Sequence, residues 1–289
     1  MKIGIRTGNP AVTRLLSIEC NFLPFRQVAT GDINLNLGLI LELAKRDITE
    51  KYSGSALGVL WNFIYPLVDI FIFTVIFSNL MGSRLPGSSS TYSYGFYLTS
   101  GVIAWNAFSK TISRTATVFL DKKHIISKVK VDLSSFPLYI AVSESITFVV
   151  TLGVFLFLLL ISGYGIKPLI LFVPLVYAVQ QIFAYSVGFF IGIFVVFIKD
   201  LKEIVGIAIQ FWFWFTPIVY VYDILPDFVK ESMVYNPAFS FIHAYHSIFI
   251  YKQSPNLEPI LYLFLLSLAI LFFAGIIFKK LERDIRDFI

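Results

Sequence analysis

Apolar runs separated by short polar breaks recur along the chain from residue 57 to residue 278. A helix needs about 20 apolar residues to cross the roughly 30 Å hydrocarbon core of a bilayer. Six segments meet this condition, and they predict spans at 57–81, 98–120, 136–162, 172–198, 204–222 and 257–278. The pattern therefore predicts an all-α integral membrane protein with six transmembrane helices.

The segment just before the first predicted span has a different pattern. Over 37–52, apolar residues recur at helical spacing and charged residues occupy most of the opposite face; the apolar positions are Leu37, Ile40, Leu41, Ala44, Ile48 and Tyr52. We expect a helix lying in the membrane interface. A simple polar flank of the first span is the alternative, but flanks rarely hold an apolar stripe for four turns. The transmembrane domain would then cover 37–289.

The first 36 residues lack the apolar core of a signal peptide. We therefore interpret 1–36 as an N-terminal cytoplasmic arm, and we expect the first span itself to direct membrane insertion.

The region between the fifth and sixth predicted spans is neither an ordinary loop nor a full span. The stretch 223–256 is too apolar for an ordinary loop, yet Pro226, Pro237 and Pro255 divide it into pieces too short to cross a bilayer. We expect two short re-entrant or interfacial helices at the outer face. An additional full span is the alternative, but it would place the basic C-terminus outside.

The basic residues define an orientation. Of the 23 Lys and Arg residues, 17 fall on the side of the membrane that holds both termini, and four fall on the other side. By the positive-inside rule, both termini are cytoplasmic. The net charge of +5 does not indicate nucleic-acid binding, because these residues flank apolar runs instead of forming a basic face with exposed aromatics.

Composition agrees with lipid as the main solvent: 57% of the residues are hydrophobic, 14% are charged, and the mean hydropathy is +0.79. The chain lacks the phosphate-binding loop GxxxxGK[ST] and the motifs GxGxxG, HExxH and GxSxG. Cys20 is the only cysteine, and no carboxylate completes a metal site with His243 and His246. We therefore expect neither catalysis nor a cofactor on this chain, and energy for transport must come from another one.

Seven segments, in order, resemble the ABC-2 type permeases that export O-antigen, capsule and teichoic acid. They are KRDITEKYSGSALGVLWNFIYPL from Lys45, GVIAWNAFSKTISR from Gly101, FLDKKHIISKV from Phe119, IKDLKEIV from Ile198, QFWFWFTPIVY from Gln210, YNPAFSFIHAYH from Tyr235 and KKLER from Lys279. The resemblance implies a homodimer in the bacterial cytoplasmic membrane. It also implies two copies of a separate ATPase that bind ATP and Mg, a transport path at the dimer interface, and an undecaprenyl-linked polysaccharide as substrate.

The resemblance implies that the short basic segment between the second and third spans is a coupling helix seated on the ATPase. Its candidate contact residues are Lys122, Lys123, His124, Ile125, Ile126 and Lys128. The alternative is a solvated loop that only obeys the positive-inside rule.

A sugar polymer presents hydroxyls and weakly apolar ring faces, so its path should be lined by aromatic and neutral polar groups. The candidates are Trp61, Tyr65, Trp105, Asn106, Phe211, Trp212, Trp214, Phe215 and Tyr220. Aromatic residues near helix ends also form lipid-facing belts, and Trp212 and Trp214 cannot both face one path.

Charged residues inside spans must be paired or face water. Counting the helical rise from the ends of the spans, we expect Asp69 to pair with Lys110 and Glu144 to pair with Arg114. The alternative role for Lys110 and Arg114 is contact with the lipid pyrophosphate or an anionic sugar.

Two other functions stay open at this point. One is a permease of the same fold that moves a drug, haem or a lipid. The other is an ATP-independent carrier or channel, which would need buried ion sites.

Overall fold

The computed structural model describes residues 37–51, 53–72, 93–128, 131–165 and 167–289. The helices are α1 (Leu37–Glu50), α2 (Trp61–Ile72), α3 (Ser93–Asp121), α4 (Lys123–Ile126), α5 (Ser135–Ile161), α6 (Val173–Val195), α7 (Leu201–Trp214), α8 (Asp227–Met233), α9 (Pro237–His246) and α10 (Leu257–Phe288). Within these ranges all regular structure is helical, as the sequence predicted. The N-terminal arm (1–36), Tyr52 and the second half of the first predicted span (73–81) lie outside the described residues.

Three segments are long and apolar enough to cross a membrane: Ser135–Ile161, Pro168–Val195 and Leu257–Phe288. They correspond to α5, to α6 with the 3-10 turn before it, and to α10. Each overlaps one of the predicted spans, the third, fourth and sixth. The structure therefore contains a helical membrane domain with at least these spanning elements in its described part.

α3 has 29 residues but a less apolar composition than these three helices, because it carries several Ser and Thr residues as well as Lys110 and Arg114. Its position explains this composition. α3 packs against α5, α6, α7 and α9, and 21 of its residues are buried. Polar residues in a membrane helix are tolerated where they face protein instead of lipid. α3 is thus the central helix of the protomer.

The fifth predicted span is only partly helical. It was expected over 204–222, whereas α7 begins at Leu201 and ends at Trp214. Fourteen helical residues extend about 21 Å, less than the hydrocarbon core. The helix stops just before Thr216-Pro217 because proline has no amide hydrogen for the helical ladder.

α1 has the expected two-faced character, with a narrower buried face than the sequence suggested. Ile40 and Ala44 are buried, and α1 packs against α5. Leu37 and Leu41 stay exposed on the protomer, at 71% and 58%. The predicted apolar stripe therefore has one side that contacts the helical bundle and another that is open.

Two short helices, α8 and α9, occupy the stretch where two short helices were expected, and a π-helical turn at Ser247–Tyr251 continues α9. Asn236 caps α9, accepting a hydrogen bond from the Ala238 amide at 3.1 Å. His246 at the end of α9 lies on Tyr97 of α3: the ring centroids are 3.8 Å apart, and Nε2 lies 3.1 Å from the Tyr97 carbonyl oxygen. Because a carbonyl only accepts, the proton of this bond is on Nε2.

Two tyrosines of the first turns of α3 hold the segment after α7. The Tyr94 hydroxyl donates to the Val219 carbonyl, and the Tyr97 hydroxyl lies 3.3 and 3.2 Å from the carbonyls of Pro217 and Tyr220. Buried backbone carbonyls outside regular helix need hydrogen-bond donors from elsewhere in the protein. The two tyrosine hydroxyls supply these hydrogen bonds and fix the segment after α7 against α3.

α3 and α6 approach closely through a GxxxG pair. A Cβ atom on Gly188 would lie 2.9 Å from the Ile112 carbonyl oxygen, and one on Gly192 would lie 2.9 Å from the Thr115 carbonyl oxygen. Small residues permit such close backbone approach in membrane proteins, where helix packing depends on van der Waals contact.

The first prediction concerns this contact. Gly188→Ala should destabilise the protein by about 1–3 kcal/mol, because the new methyl group overlaps α3 backbone. Gly275→Ala in α10 is the matched control, since its Cβ would meet nothing within 4 Å; it should be neutral or slightly stabilising. Thermal unfolding of the two purified variants in detergent measures the difference. Equal unfolding temperatures would contradict the close α3–α6 contact.

Candidate functional site

Arg114 is held between two carboxylates contributed by two other helices. Its Nη2 lies 2.6 Å from Oδ1 of Asp47 in α1, and its Nη1 lies 2.5 Å from Oε1 of Glu144 in α5. Ser143 donates a second hydrogen bond to Asp47, at 2.6 Å. The planar guanidinium fork suits such a double contact, and Glu144 is almost fully buried. These contacts of Arg114 join α1, α3 and α5.

Asp47 is ionised in this arrangement. Burial opposes the charged form, but the hydrogen bonds from Arg114 and Ser143 outweigh burial and hold the pKa of Asp47 below its ordinary value. Two carboxylates therefore face one guanidinium, and Arg114 carries no unused charge for a ligand. The expected Arg114–Glu144 contact is present, while the participation of Asp47 was not foreseen.

α1 is also attached to the end of α3. Lys122 Nζ lies 3.6 Å from Glu50 Oε2, and Arg46 Nε lies 2.5 Å from the other oxygen of the same carboxylate. These are exposed pairs, so each stabilises the fold only slightly. They nevertheless link α1 to the start of α4, because Lys122 is the residue immediately before α4.

The expected contact between Asp69 and Lys110 is not formed in the described part of the chain, where no nitrogen–oxygen pair of these residues lies within 4.0 Å. The physical reason is a cavity of about 350 Å³ between α2, α3 and α5, which both side chains line. The two charges interact electrostatically across it. Equal depth along two helices did not establish contact, because it said nothing about the gap between them.

The cavity has a mixed lining. Its charged and polar residues are Lys51, Tyr65, Asp69, Thr99, Asn106, Lys110, Glu144, Thr147 and Thr151, and its apolar residues are Pro66, Ile70, Val102, Ile103, Ala107 and Phe148. Tyr65 and Asn106 are the two path candidates that line it. Trp61 stacks on Tyr65, with centroids 5.0 Å apart, and donates to Ser55 at 2.8 Å. The site combines two ammonium groups, the carboxylates of Asp69 and Glu144, and neutral hydrogen-bonding groups.

Trp105 and Trp212 lie elsewhere: Trp105 is buried in the core, and Trp212 is half-buried against it. Trp105 is 6% exposed and makes edge contacts with Trp212 and Phe213, at centroid distances of 6.4 and 5.6 Å. Trp212 Nε1 donates to Asn236 Oδ1 at 2.7 Å, which satisfies its polar group. Both rings therefore pack α7 against α3 and α9 and do not line the cavity.

The remaining aromatic candidates form an open face on α7. Phe211, Trp214 and Phe215 are 60–66% exposed on the protomer. The Tyr220 hydroxyl donates to the Trp214 carbonyl at 3.1 Å and keeps Tyr220 beside this face. Trp212 and Trp214 point to different surroundings, as helical geometry required.

The candidate coupling residues surround α4. Ile126 is buried, whereas Lys123, His124 and Lys128 are exposed and Lys122 and Ile125 are half-buried. α4 thus places one apolar residue against the bundle and turns cationic groups outward. Among the described residues, no group of three His, Cys, Asp or Glu side chains could hold a metal ion.

A family model described as ABC-2 type transporter matches residues 38–250. The chain belongs to the ABC-2 type transporter family. This is a family of transporters and not a class of enzymes. The matched range begins in α1 and ends in the π-helical turn, so it contains the Arg114 contacts and the cavity.

The chain is similar to three proteins, each named O-antigen export system permease protein RfbA. The one from Myxococcus xanthus is 27% identical over 255 residues, which are 86% of this chain and 95% of that protein. Two from Klebsiella pneumoniae are 29% and 26% identical over 249 and 254 residues, covering 84% and 86% of this chain and 90% and 95% of the relatives. The similarity therefore runs over nearly the whole length of this ABC-2 transporter and its relatives.

Sequence reasoning missed two residues of the Arg114 contacts, Asp47 and Ser143. It also missed four polar residues of the cavity: Lys51, Thr99, Thr147 and Thr151. Asp47 was assigned to the polar face of an interfacial helix, whereas it lies on the same face of α1 as the buried Ile40 and Ala44 and contacts Arg114 and Ser143. A weak signal was present, since Ser143 and Glu144 are adjacent polar residues within an otherwise apolar span.

The second prediction concerns Arg114. Arg114→Leu leaves two carboxylates unpaired and should cost about 3–5 kcal/mol of stability. Neutralising them with Asp47→Asn and Glu144→Gln in the same chain should recover part of that loss, because no unpaired charge remains. Lys280→Leu, an exposed position of α10, is the control. Unfolding temperatures in detergent that are equal for Arg114→Leu and Lys280→Leu would exclude a structural role for the contact.

Proposed function

We propose that the protein is the membrane-spanning permease subunit of an ATP-driven exporter that moves undecaprenyl-linked O-antigen polysaccharide across the bacterial cytoplasmic membrane. The observation that carries this proposal is the similarity over 84–86% of the chain to three proteins named O-antigen export system permease. Membership in the ABC-2 transporter family supports ATP as the energy source. ATP and Mg then bind to a separate subunit.

We place six spans in each subunit, with both termini in the cytoplasm. α5, α6 and α10 account for three spans by length and composition, and α2, α3 and α7 mark the other three. The asymmetry of Lys and Arg supports the orientation. In this arrangement α4 is cytoplasmic and α8 and α9 lie toward the outer face.

The transporter works as a homodimer bound to two ATPase subunits. Support for the dimer comes from α7, in which Val205 is the only buried residue of the helix on the protomer. Support for ATPase docking comes from α4, which presents Lys123 and His124 outward directly after the central helix. Movement of the ATPase at α4 would reach α3 directly and α1 through the Lys122–Glu50 pair.

The open aromatic face of α7 fits a path for sugars at the dimer interface. Aromatic rings bind the apolar faces of sugar rings without charge, so successive units can bind and leave. Phe211, Trp214 and Phe215 are the residues we assign to this path. Trp105 and Trp212 support the path from behind by holding α7 on the bundle.

The third prediction tests the dimer. In a Cys20→Ser background, Trp214→Cys should form disulfide-linked dimers in membranes treated with an oxidant, because the same surface of α7 meets its copy across a two-fold axis. Leu265→Cys in α10 is the control, since Leu265 is similarly exposed, at 57%, and faces lipid in this arrangement. Crosslinking from Leu265→Cys but not from Trp214→Cys would place the interface elsewhere.

The fourth prediction tests the function. Deletion of the gene should remove O-antigen from the cell surface, and the lipid-linked polymer should accumulate inside. Staining of intact and then permeabilised cells, with extraction of the lipid-linked form, measures both. Surface glycan that is unchanged, with no internal accumulation, would contradict polysaccharide export and favour a drug, haem or lipid as the substrate.

A further inference from the structure

We propose that the cavity between α2, α3 and α5 binds the diphosphate headgroup of the polyprenyl lipid, with the Lys110 ammonium as its main contact. This inference rests on the proposed export function and names a site for one part of the substrate. It separates headgroup recognition, inside each protomer, from the aromatic path for the sugar polymer.

The distribution of charge supports an anionic ligand. Three cationic side chains lie near this cavity, and Arg114 is fully engaged by Asp47 and Glu144. Among the described residues, Lys110 makes no ion pair, although it lies inside a membrane helix. An ammonium at that depth is costly unless it faces water or an anion. Lys110 faces the cavity, where either one can be present.

The neutral lining fits phosphate oxygens as well. Asn106, Thr147 and Thr151 supply an amide and two hydroxyls on the same cavity as Lys110. Phosphates accept hydrogen bonds from such groups, and a cation strengthens them. The site therefore offers both the charge and the donors that a diphosphate requires.

The size of the cavity limits what it can hold. Ligand cavities in proteins typically have volumes of about 300–1,000 Å³, and this one has about 350 Å³. Such a volume suits a small headgroup and excludes a polysaccharide chain. The polymer must therefore lie outside the cavity while the headgroup is bound.

The position of the cavity favours a lipid over a free phosphate. A shallow depression lined by Asp47, Glu50, Lys51, Lys110, Arg114 and Glu144 shares three residues with the cavity, so the polar surface is continuous from the end of α1 inward. Lys110 lies about 16 Å from the end of α3 along the helix. Tyr65 and Asp69 are exposed where α2 borders the cavity. A headgroup can enter from the level of α1 while its prenyl chain stays in the bilayer.

Substitution of Asp69 tests the proposal in the opposite direction, because it should strengthen binding of the diphosphate. Its carboxylate faces the same cavity and repels an anion, which prevents the headgroup from binding too tightly for release. Asp69→Asn should therefore tighten binding of a diphosphate several-fold. Damage to the fold does not produce tighter binding, so this variant separates an electrostatic effect from a structural one.

The experiment uses the full chain in nanodiscs of zwitterionic lipid, with undecaprenyl diphosphate as the probe and its dissociation constant as the readout. We expect Lys110→Gln to weaken binding about tenfold or more, because one charge-assisted contact is lost. Lys110→Arg should bind within about threefold of the wild type, since the charge is kept. Lys280→Gln is the control for lost positive charge and should not change binding. Unchanged binding by both Lys110→Gln and Asp69→Asn would overturn the site.

Competition identifies the source of the phosphate. Inorganic diphosphate should compete weakly and phosphatidylglycerol hardly at all, which supports a diphosphate site that also requires the prenyl chain. Inorganic diphosphate that binds as tightly as the lipid would overturn a lipid site. Phosphatidylglycerol that competes equally would also overturn it, because the cavity would then be a general site for anionic lipids.

Different results would refute the proposed headgroup site and the proposed export function. If Lys110→Gln and Asp69→Asn both bind the probe like the wild type but the wild-type gene restores surface glycan in a deletion strain, the site is wrong and the function stands. If the wild-type gene has no effect on surface glycan, the proposed function is wrong whatever the binding result.

Discussion

The arrangement of this protein depends on one constraint, which is that a cation in the membrane domain must be paired with an anion or face water. Arg114 meets this constraint with two carboxylates from different helices, Asp47 and Glu144, at 2.6 and 2.5 Å. A single partner would leave part of the guanidinium fork unsatisfied, and buried charges tolerate this poorly. The solution fixes α1 and α5 on α3. It also neutralises the charge of Arg114, so that the cations facing the cavity are Lys51 and Lys110.

α3 connects the parts of the molecule that transport requires. Its last turn leads into α4, its middle carries Arg114 and Lys110, and its first turns hold the backbone after α7 through Tyr94 and Tyr97. Close contact with α6 at Gly188 and Gly192 makes these parts move as one body, since the backbones have no space to slide apart. A displacement at the C-terminal end of α3 is therefore transmitted to the cavity and to the segment after α7.

Much of this fold follows from the sequence, because apolar runs and Pro residues determine where helices form and end. Helix boundaries at Ser135–Ile161 and Val173–Val195 lie within a few residues of the predicted ones. The end of α7 was missed because Phe211 to Tyr220 is apolar throughout, and hydropathy does not register the break at Pro217. The depth argument placed Arg114 beside Glu144 correctly and Lys110 beside Asp69 incorrectly. Depth along an axis gives one coordinate, whereas contact also depends on helix rotation and separation. The same limit applies to the aromatic residues, since composition could not separate Trp212, which is half-buried against α3, from Trp214, which is exposed.

Reconstitution tests the export function most directly. The chain would be placed in proteoliposomes with the proposed ATPase subunit and with lipid-linked O-antigen in the bilayer. ATP would then be supplied on the side of the membrane that carries the ATPase. The fraction of glycan accessible to a lectin on the opposite side would be followed over time. We expect the lectin-accessible fraction to rise with ATP and to stay constant without ATP or without the ATPase. No rise with ATP, or an equal rise without the ATPase, would contradict an ATP-driven polysaccharide exporter.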